Sequence, residues 1–107
     1  MKNDCVVVWT TVGRMANCRE IASILVNERL AACVNVLAEM ESIYRWKGQV
    51  ESDYERQLVM KTTAERVPAL RDRLLGLHGY EVPEFIVTPI LGGSEAYLDW
   101  IRQSTAG

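Results

Sequence analysis

The side chains suited to a soft metal are few: one histidine, His78, and three cysteines, Cys5, Cys18 and Cys33. Thiolate, thioether and imidazole ligands suit copper, and a structural zinc site would need such ligands in close pairs. The cysteines show no C-x-x-C or comparable spacing, and their odd number gives no disulfide framework. Reduced, largely packed thiols are therefore expected, with Cys5 and Cys33 on apolar strand runs and Cys18 on the apolar stripe of a helix. His78 stands at a helix end, where a histidine also interacts favourably with the terminal carbonyls. Gly92-Gly93-Ser94 precedes a helix and could offer free N–H groups to an anion, but it reads first as a plain loop and cap. Phe85 is the one phenylalanine, no basic aromatic run accompanies it, and the net charge is −2, so RNA or DNA is not expected as a partner.

These residues are carried by elements whose periodicities are legible. Leu30 to Thr63 reads as two strand-like arms reversing at Lys47-Gly48-Gln49, where Gly48 supplies the backbone freedom of a short turn. In the first arm Val34, Val36, Ala38, Met40, Tyr44 and Trp46 share one parity and hence one expected face; Tyr54, Leu58 and Met60 do so in the second. Both arms outrun the usual strand of about 5–6 residues, and an isolated ribbon is marginal in water. The face near Tyr44, Trp46 and Tyr54 is thus expected to lie against another subunit.

Before this hairpin, Asp4 to Val12 is a β-branched run predicted as a strand covered on both faces. Asn17 and Glu20 form a capping pair for a helix with Cys18, Ile21, Ala22 and Leu25 on one stripe. After the hairpin, Thr62 and Glu65 resemble a second capping box. A helix from near Val67 carries Leu70, Leu74 and Leu77 and is expected to stop at Gly79. Glu84 to Ile90 is a strand bounded by prolines. Ser94 caps a last helix with Tyr97, Trp100, Ile101 and Ser104 along one side. The order β-α-β-β-α-β plus a helix predicts an α+β fold, a ferredoxin-like βαββαβ sandwich with a long hairpin between its second and third strands. One sheet face is left open to a partner or ligand.

With 107 residues, 49% apolar and 24% charged, residues 1–107 are expected to form one domain. The longest apolar run, Cys5 to Trp9, is too short to span a membrane, and no secretory core follows Met1-Lys2-Asn3-Asp4. Cytoplasmic location and no membrane partner are the expectations.

Several runs together resemble one family. L-A-A-C-V-N at Leu30 to Asn35, S-x-Y-x-W-K-G at Ser42 to Gly48 and E-x-Q-L-V-M-K-T-T at Glu55 to Thr63 are similar to the CutA family of divalent-cation-tolerance proteins. So are H-x-Y-E-V-P-E at His78 to Glu84 and Y-L-x-W at Tyr97 to Trp100. The resemblance implies a ferredoxin-like subunit in a cytoplasmic homotrimer, assembled like the PII signalling proteins and linked to copper tolerance, with no established reaction. It also implies an intersubunit cleft grouping Trp46, Glu55, Lys61, Tyr80 and Glu84, which would either orient a small polar ligand or fix the assembly as a salt-bridge network. The alternative is an enzyme acting on a small polar substrate at that cleft through Glu55, Lys61 and Glu84, with a carboxylate as acid or base. Some members carry a second histidine where Leu77 stands and a cysteine at the strand end occupied by Thr10 and Thr11. Copper or another divalent cation is accordingly expected to bind weakly, through His78, and no other cofactor is implied.

Overall fold

A computed structural model describes residues 4–107; the N-terminal part of the secretory-signal reading, residues 1–3, lies outside them. The elements are β1 (Cys5–Gly13), α1 (Cys18–Asn27), β2 (Cys33–Val36), β3 (Met40–Trp46), β4 (Gln49–Thr63), a 3-10 turn (Ala64–Arg66), α2 (Val67–Leu77), β5 (Ile86–Pro89) and α3 (Glu95–Thr105). The architecture is mixed: an antiparallel sheet in the order β2-β4-β1-β5, with β3 prolonging the β4 edge, and three helices. The 15-residue β4 is the spine, pairing along its second half with β1 and β2 and along its first half with β3.

Alternation along the strands decides what each face meets. Val6, Val8 and Val12 of β1, with Leu58 and Met60 of β4, turn to one side and pack with Ile21 and Leu25 of α1 and Leu70 and Leu74 of α2. Cys5 points the other way and joins Ala32, Leu98 and Ile101, so α3 covers one end of the opposite face. The rest of that face carries Trp9, Val59 and Lys61, which are half-buried, and the exposed Ile86.

The first hairpin arm departs from the expected single strand. Val36 lies opposite Leu58 and Met40 opposite Glu55, so three residues, Leu37 to Glu39, face two on β4. One extra residue is a bulge, and it reverses the alternation beyond it. Val34 therefore packs into the helix-side core, whereas Met40, Tyr44 and Trp46 look to the opposite face. They do not share one side, contrary to the parity reading. The turn itself is as expected: Lys47 and Gly48 have φ of 50° and 79°, the left-handed pair of a two-residue hairpin turn.

Helix ends show further differences. Asn17 accepts from the Glu20 N–H at 3.1 Å, as its spacing predicts. Thr62, however, is no cap: it belongs to β4, and its buried hydroxyl donates to the Leu30 carbonyl at 2.8 Å. Pro68 sits in the first turn of α2, where its missing N–H costs nothing. That helix ends at Leu77 with His78 extended, before Gly79, which is not in the left-handed region. On α3, Ser94 caps Tyr97 as expected, but the buried stripe is Leu98, Ile101 and Thr105; Tyr97 and Trp100 are exposed. Cys5 and Cys18 are buried, while Cys33 is only half-buried because it lies on the less covered face.

Candidate functional site

β1 pairs with β5 only from Val6 to Trp9, and the segment from His78 to Phe85 approaches the remainder of β1. Side chains pin the segment there. His78 Nε2 lies 2.7 Å from the Thr11 carbonyl, and the Thr10 hydroxyl donates to the Glu84 carbonyl at 2.7 Å. Gln57 donates from Nε2 both to the Thr10 carbonyl at 2.8 Å and to Glu84 Oε2 at 2.9 Å. Between this segment and the β3–β4 ribbon runs a groove of about 930 Å³, lined among others by Trp46, Glu55, Tyr80 and Glu84.

Glu55 is the deepest charge of the groove, only 9% exposed. It lies opposite Gly13 on one side and Met40 on the other, and its Oε2 accepts the Tyr80 hydroxyl at 2.7 Å. Burial, then this hydrogen bond and the negative charge of Glu55, push the Tyr80 phenol well above its ordinary value. Towards the ribbon tip the pattern repeats: Tyr44 donates to Asp53, and that bond, with burial and neighbouring carboxylates, pushes Tyr44 up to about 12. Both phenols keep their protons at neutral pH and act as donors to carboxylates. At the mouth, Arg14 pairs with Glu39 at 3.6 Å and lies over the Tyr54 ring at 5.6 Å.

Four of the five expected ligand-site residues, Trp46, Glu55, Tyr80 and Glu84, thus line one groove of a single chain. Lys61 does not. It lies on the same face of β4 as Glu55 but six residues along, a separation of about 20 Å, and its ammonium donates to Asn35. Among the described residues no lysine lines the groove that holds Glu55 and Glu84. Asp53 and Gln57 were not foreseen as site residues, although they flank Glu55 at two-residue spacing and share its face. Arg14 and Thr10 gave no signal, since only the fold brings their segments to the groove.

The sequence model described as "CutA1 divalent ion tolerance protein" matches residues 6–104. The chain belongs to the CutA1 family. It is 48% identical over 99 residues to the "Divalent-cation tolerance protein CutA" of Thermus thermophilus, covering 92% of this chain and 96% of that one. It is 42% identical over 100 residues to "Protein CutA, chloroplastic" of Arabidopsis thaliana, covering 94% of this chain but spanning only 55% of the plant protein's length. The crystal structure of "stable protein, CutA1" from the psychrotrophic bacterium Shewanella sp. SIB1 superimposes with a TM-score of 0.93 at 36% identity, covering 100% of both chains.

The CutA1 family description speaks of divalent ions, and His78 is where the sequence directs a metal. Its Nδ1 accepts the Tyr80 N–H at 3.1 Å, which makes Nε2 the protonated nitrogen, donating to Thr11. Both ring nitrogens are committed, and a metal would have to displace one of these bonds. Among the described residues no three His, Cys, Asp or Glu side chains come together as a metal site.

Proposed function

We propose that this CutA1 family member is the subunit of a cytoplasmic homotrimeric binding protein of divalent-cation tolerance, copper included, assembled like the PII proteins. The reading gives it a ferredoxin-like fold and a ligand site in its groove. What supports it most is the buried Glu55 under the Tyr80 hydroxyl in a groove that Tyr44 and Trp46 wall on the ribbon side. This combines a few fixed polar groups with apolar surface, as small-molecule sites do. Lys61 completes the cleft only if it comes from a neighbouring subunit, since its own chain holds it about 20 Å away along β4. The ribbon suits that assembly: Ile43 and Val50, 70% and 66% exposed, lie on the side opposite the groove walls and are large apolar side chains for an isolated chain to leave in water. Copper, on this reading, is bound weakly through His78, which must first give up a hydrogen bond. The three free thiols fit a reducing compartment.

The experiment has two parts. Sedimentation equilibrium is run on the wild type and on the double variant Tyr44→Ala, Trp46→Ala. A trimer weakened in the variant is expected; a wild-type monomer at micromolar concentration would overturn the assembly. Mass spectrometry of the natively purified protein then identifies retained small molecules and metals. A retained molecule that disappears in Glu55→Gln would support the groove, and one unaffected by that change would count against it.

A further inference from the structure

Between α2 and β5 the chain borders the groove with little to hold it. Leu77 and Phe85, at the two ends of this crossing, pack against the main core, and Glu84 is held twice, by the Thr10 hydroxyl and the Gln57 amide. From Gly79 to Pro83 the fastening is a single residue. Among the described residues no backbone–backbone hydrogen bond reaches this stretch, and β5 joins β1 only from Ile86 on. Tyr80 alone in it makes hydrogen bonds, one from its N–H to His78 Nδ1 and one from its hydroxyl to Glu55. Glu81 and Val82 are exposed, and a Cβ on Gly79 would meet nothing. His78 ties the fastening to the sheet: its ring donates from Nε2 to the Thr11 carbonyl of β1, accepts the Tyr80 N–H, and stands 4.8 Å from the Tyr80 ring between centroids. Thr11 and Gly13 lie opposite Gln57 and Glu55 on β4. The path from β1 through His78 and Tyr80 therefore returns to the sheet at Glu55, two residues along the same face.

A segment without backbone pairing and with few buried contacts opens locally at far lower cost than the core, and such openings serve as lids where they cover a site. We propose that Gly79–Pro83 is a lid that swings off Glu55, and that His78 is the positioning residue that latches it shut by seating Tyr80. The lid acts on the carboxylate oxygen that Tyr80 covers. The other oxygen is left to a Lys61 arriving from a neighbouring subunit, so the two contacts are compatible. Opening uncovers Glu55 to a molecule entering the groove, a role that rests on the reading of the groove as the ligand site.

The test is fluorine NMR of the assembled protein labelled with 3-fluorotyrosine, in which the Tyr80 signal is the one of four that Tyr80→Phe removes. Relaxation dispersion on the microsecond-to-millisecond scale is expected at Tyr80 and not at Tyr97 on α3. His78→Ala should raise the open population about tenfold or more, moving the Tyr80 signal towards its position in urea. His78→Gln, whose amide can donate to Thr11 and accept from Tyr80, should stay close to wild type. Gly13→Val leaves His78 intact but should open the lid as well, because a Cβ there already stands 3.5 Å from the Tyr80 hydroxyl. In both opened variants Glu55 should couple faster to glycinamide under carbodiimide, read by peptide mass spectrometry, with the exposed Glu20 of α1 as the unchanged control. No dispersion at Tyr80 in the wild type, or a Tyr80 signal and a Glu55 reactivity that neither variant moves, would overturn the lid. Equal changes at Tyr97 and Glu20 would show that His78 only stabilises the fold, and would overturn its positioning role. No added ligand enters these readouts, so a failed lid leaves the groove reading standing, and that reading fails separately in the retained-molecule experiment.

Discussion

Replacing Tyr80 by phenylalanine removes one hydroxyl and keeps the ring. That hydroxyl donates to Glu55 at 2.7 Å, and Glu55 is 9% exposed. A hydrogen bond to a charged acceptor contributes about 1.5–3 kcal/mol net, and its loss is felt most where the acceptor stays buried. Tyr80 is itself 39% exposed, so water screens the bond and replaces part of it. The expected loss is therefore about 1–2 kcal/mol. The pH dependence has a definite sign. Tyr80 is raised, by burial first and then by the bond to Glu55. A phenol holding its proton more tightly in the folded than in the unfolded chain contributes its full stability below the ordinary tyrosine value of about 10. That contribution is lost as pH rises from there through the raised folded value. Urea unfolding of wild type and Tyr80→Phe, at equal protomer concentration, measures both effects. The gap should be about 1–2 kcal/mol at neutral pH, level up to about pH 10 and narrowing beyond. A gap under about 0.5 kcal/mol at neutral pH, within the range of ordinary surface substitutions, would refute the reasoning. So would a gap that persists undiminished in strong alkali.

Two further outcomes can be checked directly. Gly48→Ala places a Cβ at φ 79° in the hairpin turn and should cost about 1–2 kcal/mol by thermal unfolding, while Lys47→Asn, suited to its φ of 50°, should be neutral or stabilising. With a thiol reagent on the folded protein, Cys33 should label first, being half-buried. Cys5 should wait for unfolding, because burial, then Asp4, pushes its thiol up and hides it.

How far the sequence carried the structure depends on whether a signal was local. The Asn17 cap, the Lys47-Gly48 turn and the leucine spacing of α2 are written in neighbouring residues, and each was legible. The bulge at Leu37 to Glu39 was not, since alternation continues across it in the sequence and only pairing with β4 reveals that three residues oppose two. Thr62 had the right partner spacing for a cap but is consumed by the sheet, where Leu30 offers a buried acceptor. Spacing groups Tyr97, Trp100, Ile101 and Ser104 along one side of α3, yet of these only Ile101 is buried, and Leu98 and Thr105 complete the packed stripe. In the site, Glu55, Tyr80, Glu84 and Trp46 could be grouped by family resemblance. Gln57, which donates to Glu84, and Asp53, which accepts from Tyr44, needed the strand face, and Arg14 and Thr10 needed the fold.

The central claim is that the groove is one half of a site finished by a neighbouring subunit. Zero-length carbodiimide coupling between Lys61 and Glu55 tests it most directly. Within one chain the two lie about 20 Å apart on the same strand, too far for an amide bond. Coupling must therefore join different subunits. The account predicts covalent dimers and trimers on a denaturing gel, with a Lys61–Glu55 peptide in their digest that is lost in Lys61→Arg. Uncoupled monomers, or oligomers coupled through other residues with Lys61 and Glu55 untouched, would contradict it.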